Sequence, residues 1–493
     1  MPVVVMTPGK VKAGRAKGHY CKHTSNNDFK TELMSDHKSV EAGGREEAGK
    51  LKPKSEMTPA ERVRLLREKL YCKAKQERTY KFYILYDKLM IPYVLREAYG
   101  RVRRNGGSPG VDKETFEKIE KRGADGFLQE LAEDLRKQTY QPQAVKRVWI
   151  PKANGGQRPL GIPTIRDRVA QMACLLIIEP IFEAGFEDSS YGFRPNRSAK
   201  DAMAAIREHL HAGKTEVMDA DLSAYFDTIP HDKLMKTVEM RISDPRVLKL
   251  IMKWLKAPVF EDGKFHKGKQ EGTPQGGVIS PLLANIYMDL IDRVVNDSRK
   301  LFARSGIRIV RYADDFVLMG KRITGEATEK LKELLDRMGL RLNETKTRQI
   351  EARKESFNFL GFTIRYDRDL KGRRTRYWNI KASDKSEKKI REKIGDYLST
   401  HGHYAPVHIA EELNKIIGGW LNYFDIPGVS YPAMNKRKLQ YYLRERLTRY
   451  YERKSQRKSR LYGKQAFEKL VCEYGLIDPT KYFVRKKTVN TSN

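Results

Sequence analysis

Cysteine is scarce in this chain of 493 residues: Cys21, Cys72, Cys174 and Cys472 lie far apart, with no C-x-x-C pair. That spacing excludes a zinc ribbon or a dithiol redox motif and reads as ordinary reduced thiols. Cys21 and His23 are near neighbours, but two ligands without a second pair assign no metal. Long apolar runs are also missing. Val3 to Met6 and the stretch around 173–178 fall short of a membrane span or a signal-peptide core, so no membrane partner is expected. Acidic residues are outnumbered, 63 against 97 Lys and Arg, for a formal charge of +34. The positive excess runs along the whole length, which points to a polyanion and first of all to nucleic acid. The expected location is a bacterial cytoplasm, associated with nucleic acid. An organellar presequence stays open, because the first twenty residues are basic and free of acids before Glu32, Glu41, Glu46 and Glu47 dilute that character.

The length exceeds one compact core and predicts several domains. Residues 1–57 are polar, rich in Gly and Lys, and without apolar periodicity, the composition of a disordered basic arm. At Thr58 a helix is expected, with Pro59 at its first position, Glu61 at the capping-box position and Leu65, Leu66 and Leu70 on one face. Helical pieces continue to Tyr99, and Asn105-Gly-Gly-Ser-Pro-Gly110 is a dense turn signal. Between Val145 and Ile162 two short strands flank Asn154-Gly155, a hairpin signal with Lys152 and Arg158 near the tip. Helices and strands then interleave to about Gly361. Beyond Lys381 the pattern is helical, basic and tyrosine-rich, and no internal repeat is present.

Val217-Met-Asp-Ala-Asp221 reads as a buried strand with Asp221 at its end. Ile307-Arg-Ile-Val-Arg-Tyr-Ala-Asp-Asp-Phe-Val-Leu-Met319 reads as a hairpin with adjacent carboxylates at its turn. Aspartates are common in turns, where they bond local backbone. Beside Val310, Phe316 and Val317, however, paired carboxylates repel each other and are costly to desolvate. Divalent cations relieve both penalties. Oxygen ligands without His or Cys favour Mg²⁺, and two such ions about 3.5 to 4 Å apart can clamp an in-line phosphoryl displacement.

Tyr312-Ala-Asp-Asp315 resembles the Y-x-D-D motif of reverse transcriptases, and Asp221-Leu-Ser-Ala-Tyr-Phe226 resembles their motif A, upstream as in that family. The resemblance implies Asp221, Asp314 and Asp315 as ligands of two Mg²⁺; Asp219 competes for the first place but stands at the wrong distance from Phe226. Glu271-Gly-Thr-Pro-Gln-Gly-Gly-Val-Ile-Ser-Pro-Leu-Leu-Ala-Asn285 resembles motif B of the group II intron enzymes. There Gly276 and Gly277 permit close backbone approach to a ligand, Gln275 lies against the nascent base pair or template, and Ser280 with Pro281 starts a helix over Leu282 to Val294. By the same resemblance Lys152 and Arg158 hold the incoming triphosphate, chemistry that suits an ammonium and a guanidinium. Phe226 is implied as the residue that rejects a ribose 2′-OH, and Lys346 as the acid for departing pyrophosphate. Phe186-Glu-Asp-Ser-Ser-Tyr-Gly-Phe-Arg-Pro-Asn-Arg197 matches a template-contacting block, and Phe359-Leu-Gly-Phe362 a primer-gripping turn.

Gly418-Gly-Trp-Leu-Asn-Tyr-Phe424 resembles the thumb and maturase region that follows the polymerase in this family. In the basic run from Lys436 to Tyr451, Leu439, Leu443 and Leu447 make an apolar stripe and leave Arg and Lys on another face. The expected fold is an α/β right-hand polymerase with fingers, a palm carrying an antiparallel sheet, and a helical thumb, followed by a small basic maturase or DNA-binding segment. Its expected divisions are 1–57, 58–380 for fingers and palm, 381–455 for thumb and maturase helices, and 456–493. The expected function is RNA-directed DNA synthesis with intron RNA binding. Expected partners are intron RNA, an RNA template, a DNA primer or target, and deoxynucleoside triphosphates. The alternatives are a splicing maturase with a vestigial polymerase and a domesticated enzyme of defence or repair. The resemblance runs over about 58–475, and no C-terminal Cys/His nuclease module is expected.

Overall fold

The computed structural model describes residues 56–151, 155–268, 270–369, 375–401, 404–453, 460–463 and 465–483. Almost all of the expected N-terminal arm, together with Lys152 and Asn154 at the hairpin tip, lies outside the described residues. At Thr58 the expected capping box is formed: the Thr58 N–H donates to Glu61 Oε2 at 2.8 Å and the Glu61 N–H to Thr58 Oγ1 at 3.3 Å. It opens α1 (Pro59–Gln76), which with α2 (Pro92–Asn105) packs on α3 (Ile165–Glu183). The apolar run too short for a membrane is the middle of α3, where Val169, Ala173, Cys174, Leu176, Ile177 and Ile178 have no exposed surface. A helix apolar all round is stable only when other elements cover it on every side.

Strands β1 (Val145–Pro151) and β2 (Gln157–Ile162) form the expected antiparallel hairpin. After α4 (Ala199–His211) comes β3 (Glu216–Ala220), and then β4 (Val259–Glu261) and β5 (Lys264–His266), which extend the first hairpin into a sheet ordered β2-β1-β4-β5. Helix α5 (Ser280–Asn296) runs longer than the periodicity predicts. Ser280 is its first residue rather than its cap, and its hydroxyl bonds the Pro274 carbonyl at 2.9 Å. Strands β6 (Arg308–Tyr312) and β7 (Asp315–Gly320) follow, then α6 (Gly325–Met338) and β8 (Arg348–Glu351).

The sheet ordered β6-β7-β3-β8 divides two cores. On one face Met218, Ala220, Ile309, Phe316 and Leu318 join the large cluster around α3 and α5. On the other, Val217, Val310, Val317 and Met319 pack against α4 and against β9 (Phe357–Phe359), β10 (Phe362–Arg368) and β11 (Arg376–Ala382). Burial on both faces is why apolar residues stand side by side in β3 (Val217 and Met218), β6 (Ile309 and Val310) and β7 (Phe316, Val317, Leu318 and Met319) rather than alternating with polar ones. From Asp384 the chain is helical: α7 (Asp384–Thr400), α8 (Pro406–Phe424), α9 (Ala433–Arg453) and α10 (Ala466–Tyr474) enclose a third core, with the Leu439, Leu443 and Leu447 stripe inside it. Among the described residues no helix is long and apolar enough to cross a membrane.

Candidate active site

Strand register brings the acids together. β3 and β7 are antiparallel, and their last pair is Ala220 with Phe316. One step further along the same register, Asp221 stands level with Asp315. Because side chains alternate along a strand, Asp219, Asp221 and Asp315 share a face. Asp315 is the first residue of β7, so only Asp314 and Ala313 make the turn, where Ala313 is left-handed at φ 61°. Asp315 presents surface to solvent yet is hemmed in by protein and by other acids. Burial, then Asp314, Asp221 and Asp219, push its carboxyl up to about 7, against the pull of Lys346. Burial likewise raises Asp314, which Arg158 counters, and lifts Asp219 to about 6, with Asp221 adding and Arg348 opposing.

Lys346 meets this cluster directly, its Nζ donating to Asp221 Oδ2 at 3.0 Å. The segment before it is tied to the end of β3, since the Asn343 N–H donates to the Asp221 carbonyl at 2.7 Å and the Ser223 N–H to the Arg341 carbonyl at 2.9 Å. Among the described residues no three His, Cys, Asp or Glu side chains stand arranged to hold a metal ion, and the Asp221 carboxylate faces Lys346 instead. The donor set nevertheless suits a hard divalent cation. It is all oxygen, and the upward shifts of Asp219, Asp314 and Asp315 arise first from burial and then from neighbouring carboxylates, two costs that such a cation relieves.

Residues that sequence reasoning missed hold the turn in place. Arg311 and Asp292 have fully buried side chains, and the Arg311 Nε donates to both Asp292 oxygens at 3.0 and 2.9 Å. The Arg311 Nη1 reaches the Ala313 carbonyl at 2.8 Å and Asn285 Oδ1 at 2.9 Å, and Asn285 Nδ2 donates to the Gly192 carbonyl at 2.8 Å. A Cβ on Gly192 would lie 2.4 Å from the Ala313 nitrogen, so only glycine lets that segment lie against the turn. Arg311, Asn285 and Gly192 fall inside motif-like stretches of the sequence. No sequence signal singles out Asp292.

A neighbouring wall contains Phe226, half-buried in the short helical turn Tyr225–Thr228. Its carbonyl accepts from the Thr273 N–H at 2.6 Å, joining this wall to the glycine-rich loop. Gln275 Oε1 accepts from Arg158 Nε at 2.6 Å, and Gln275 Nε2 donates to Asp227 Oδ2 at 3.0 Å. The close approach at Gly276 is to protein: at φ 115° an added Cβ would lie 2.3 Å from the Gly161 carbonyl oxygen. Leu360 and Gly361, both left-handed, turn β9 into β10, and the Tyr423 hydroxyl of α8 donates to the Leu360 carbonyl at 3.0 Å. The structure thus gathers Asp221, Asp314, Asp315 and Lys346, sets Arg158, Gln275, Gly276 and Phe226 along a neighbouring wall, and leaves Lys152 undescribed.

The basic face of α9 is partly neutralised within the protein. Lys436 pairs with Asp425 at 2.7 Å, Lys438 with Glu387 at 3.2 Å and Arg444 with Glu468 at 3.1 Å.

Residues 150–364 match the family model "Reverse transcriptase (RNA-dependent DNA polymerase)", and residues 387–467 match "Group II intron, maturase-specific domain". Protein YkfC of Escherichia coli is 39% identical over 292 residues, covering 52% of this chain and 76% of that protein. The group II intron-encoded protein LtrA of Lactococcus lactis is 37% identical over 265 residues, 51% of this chain and 43% of LtrA. A 91 kDa protein in the cob intron of Schizosaccharomyces pombe is 26% identical over 405 residues, 66% of this chain and 49% of that protein. The chain therefore spans about three quarters of the first relative but less than half of the other two.

Proposed function

The chain belongs to the family of group II intron reverse transcriptases and maturases, and we propose that it copies an RNA template into DNA at the acids of β3 and the β6-β7 turn. The placing of Asp221 level with Asp315 on one face of one sheet, with Asp314 in the adjoining turn, supports this reading above all else. In it, the β6-β7-β3-β8 sheet is the floor of a palm, the β1-β2 hairpin belongs to the fingers, and α7 to α9 supply the thumb and maturase helices. Residues 58–380 are then the fingers and palm, 381–455 the thumb and maturase part, and 456–493 a basic C-terminal segment whose α10 packs on that part. The three carboxylates are assigned as ligands of two Mg²⁺, which when bound supply charge neutralisation at the attacking and leaving oxygens of phosphoryl transfer.

The protein's own groups do the rest. Arg158, with Lys152 a few positions earlier in the sequence, meets the triphosphate of the incoming deoxynucleotide by charge-assisted hydrogen bonds. Phe226 crowds the sugar and disfavours a 2′-OH. Lys346 offers a proton to the departing pyrophosphate once its ammonium leaves Asp221. The turn of Leu360 and Gly361 holds the primer, and the basic helices bind the intron RNA, the template and the DNA target.

Asp314→Ala combined with Asp315→Ala is expected to abolish extension of a DNA primer on an RNA template while RNA binding persists. Undiminished incorporation would refute the assignment. Absent incorporation by the unmodified protein, with intact intron splicing, would instead favour a maturase whose polymerase is vestigial.

A further inference from the structure

We propose that Asp227 is a positioning residue for nucleotide selection: it locks the Gln275 side-chain amide in one orientation and, through that amide, stations the Arg158 guanidinium beside the catalytic turn. This deepens the polymerase reading and rests on it. The chain of contacts is continuous, from Asp227 Oδ2 to Gln275 Nε2 at 3.0 Å and from Gln275 Oε1 to Arg158 Nε at 2.6 Å.

The polarity of that chain has one solution. A carboxylate only accepts and a guanidinium only donates, so a Gln amide between them is satisfied in one flip and repelled at both ends in the other. Asp227 is the member that imposes the direction from the protein side, because its backbone is fixed. The Gly272 N–H donates to the Ile229 carbonyl at 2.8 Å, and a Cβ on Gly272 would lie 2.9 Å from the Asp227 carbonyl oxygen. The Gln275 backbone is pinned as well, its carbonyl accepting from the Gly161 N–H of β2 at 2.6 Å. With both backbones set, the amide has little freedom left except the flip that Asp227 forbids.

The charge of Asp227 also needs an account. Among the described residues it forms no ion pair, and it stands on the wall that a triphosphate approaches, where a second anion is unfavourable. An acid kept there does something a neutral side chain does less well, and holding an amide N–H is what its geometry shows. Arg158 in turn lies near enough to Asp314 to oppose the rise in that carboxyl. When a triphosphate draws Arg158 away, Gln275 Oε1 becomes a fixed acceptor facing the substrate, while Nε2 stays on Asp227.

The test is steady-state and equilibrium measurement with the full chain on an RNA template and a DNA primer. Asp227→Ala should raise the deoxynucleotide KM on the order of tenfold, the usual weight of one hydrogen bond to a charged group, with kcat and primer-template affinity nearly unchanged. Asp227→Asn keeps an acceptor oxygen but not the charge and should recover KM in part. Asp227→Ala added to Gln275→Ala should be no worse than Gln275→Ala alone, because the first acts through the second. An unchanged KM in Asp227→Ala, full multiplication of the two effects, or a melting-temperature loss that Asp227→Asn fails to repair would each overturn the assignment. If the unmodified protein extends primers normally and Asp227→Ala matches it, Asp227 alone is refuted. If the unmodified protein extends none, the polymerase reading fails and this one with it.

Discussion

Arg311 shows how much a single buried charge can govern. Its guanidinium is spent on Asp292, Asn285 and the Ala313 carbonyl, with no surface left for solvent. Leaving one member of a buried ion pair alone costs about 3 to 5 kcal/mol, whereas replacing both by apolar groups is often neutral. Arg311→Met should therefore lower unfolding free energy by about that amount in denaturant titration. Arg311→Met with Asp292→Leu should recover most of the stability without recovering primer extension, because the Ala313 carbonyl still lacks its donor and the turn carrying Asp314 loosens. A stable double variant with full activity would reduce the pair to packing. The same scale explains what sequence reading could see. A Y-x-D-D run is visible as residues, but Asp292 lies on α5 with no local mark, and only the fold sets it beneath the turn.

At the scale of elements, α4 and β6 carry a pH response. Burial, followed by Lys214 and Arg308, pushes His209 down from 6.5 to about 4. The unfolded chain takes up a proton as pH falls below about 6.5 while the folded protein does not until about 4, so this stability is complete above the first value and drains away toward the second. His209→Gln should flatten the stability profile between pH 6.5 and 4 and leave it unchanged above pH 7, as read by denaturant titration at each pH. A profile identical to that of the unmodified protein would show that His209 titrates freely. The glycine-rich loop is a second element with a sharp requirement. Gly276→Ala combines a left-handed φ with a contact of 2.3 Å to the Gly161 oxygen, so it should separate the loop from β2 and depress extension, while Gly126→Ala, with open space around its Cβ and an ordinary helical backbone, should leave extension intact. Caps, hairpin and apolar stripe were legible in the sequence because each depends on residues within a few positions of one another. The length of α5 was not, since its first turn is held by Ser280 bonding back to Pro274.

Over the whole molecule, a formal charge of +34 makes binding to nucleic acid strongly salt-dependent. Filter binding should give a log-log slope of about 0.7 per contacted phosphate on single strands and about 0.9 on duplex DNA. Ion pairing sorts which cations contribute. Arg437 is exposed and in no ion pair among the described residues, so Arg437→Ala should reduce the slope by about one contact. Lys438, paired with Glu387, should change it less. Equal changes in both would mean that the ion pairs of α9 open on binding.

Composition pointed to a polyanionic partner, and short-range pattern determined where the first helix is capped, where the hairpins turn, and the order of the acidic and glycine-rich motifs. These follow from local chemistry: turn geometry, capping and hydrophobic period act over a few residues. The tertiary structure alone decided that Asp221 stands level with Asp315 across β3 and β7, that Lys346 returns to Asp221, and that Arg311, Asp292 and Gly192 brace the turn. It also decided that Asp227, Gln275 and Arg158 form one chain of hydrogen bonds. Those relations join residues far apart in sequence, and they exist only once strand register and core packing have brought distant segments within bonding distance.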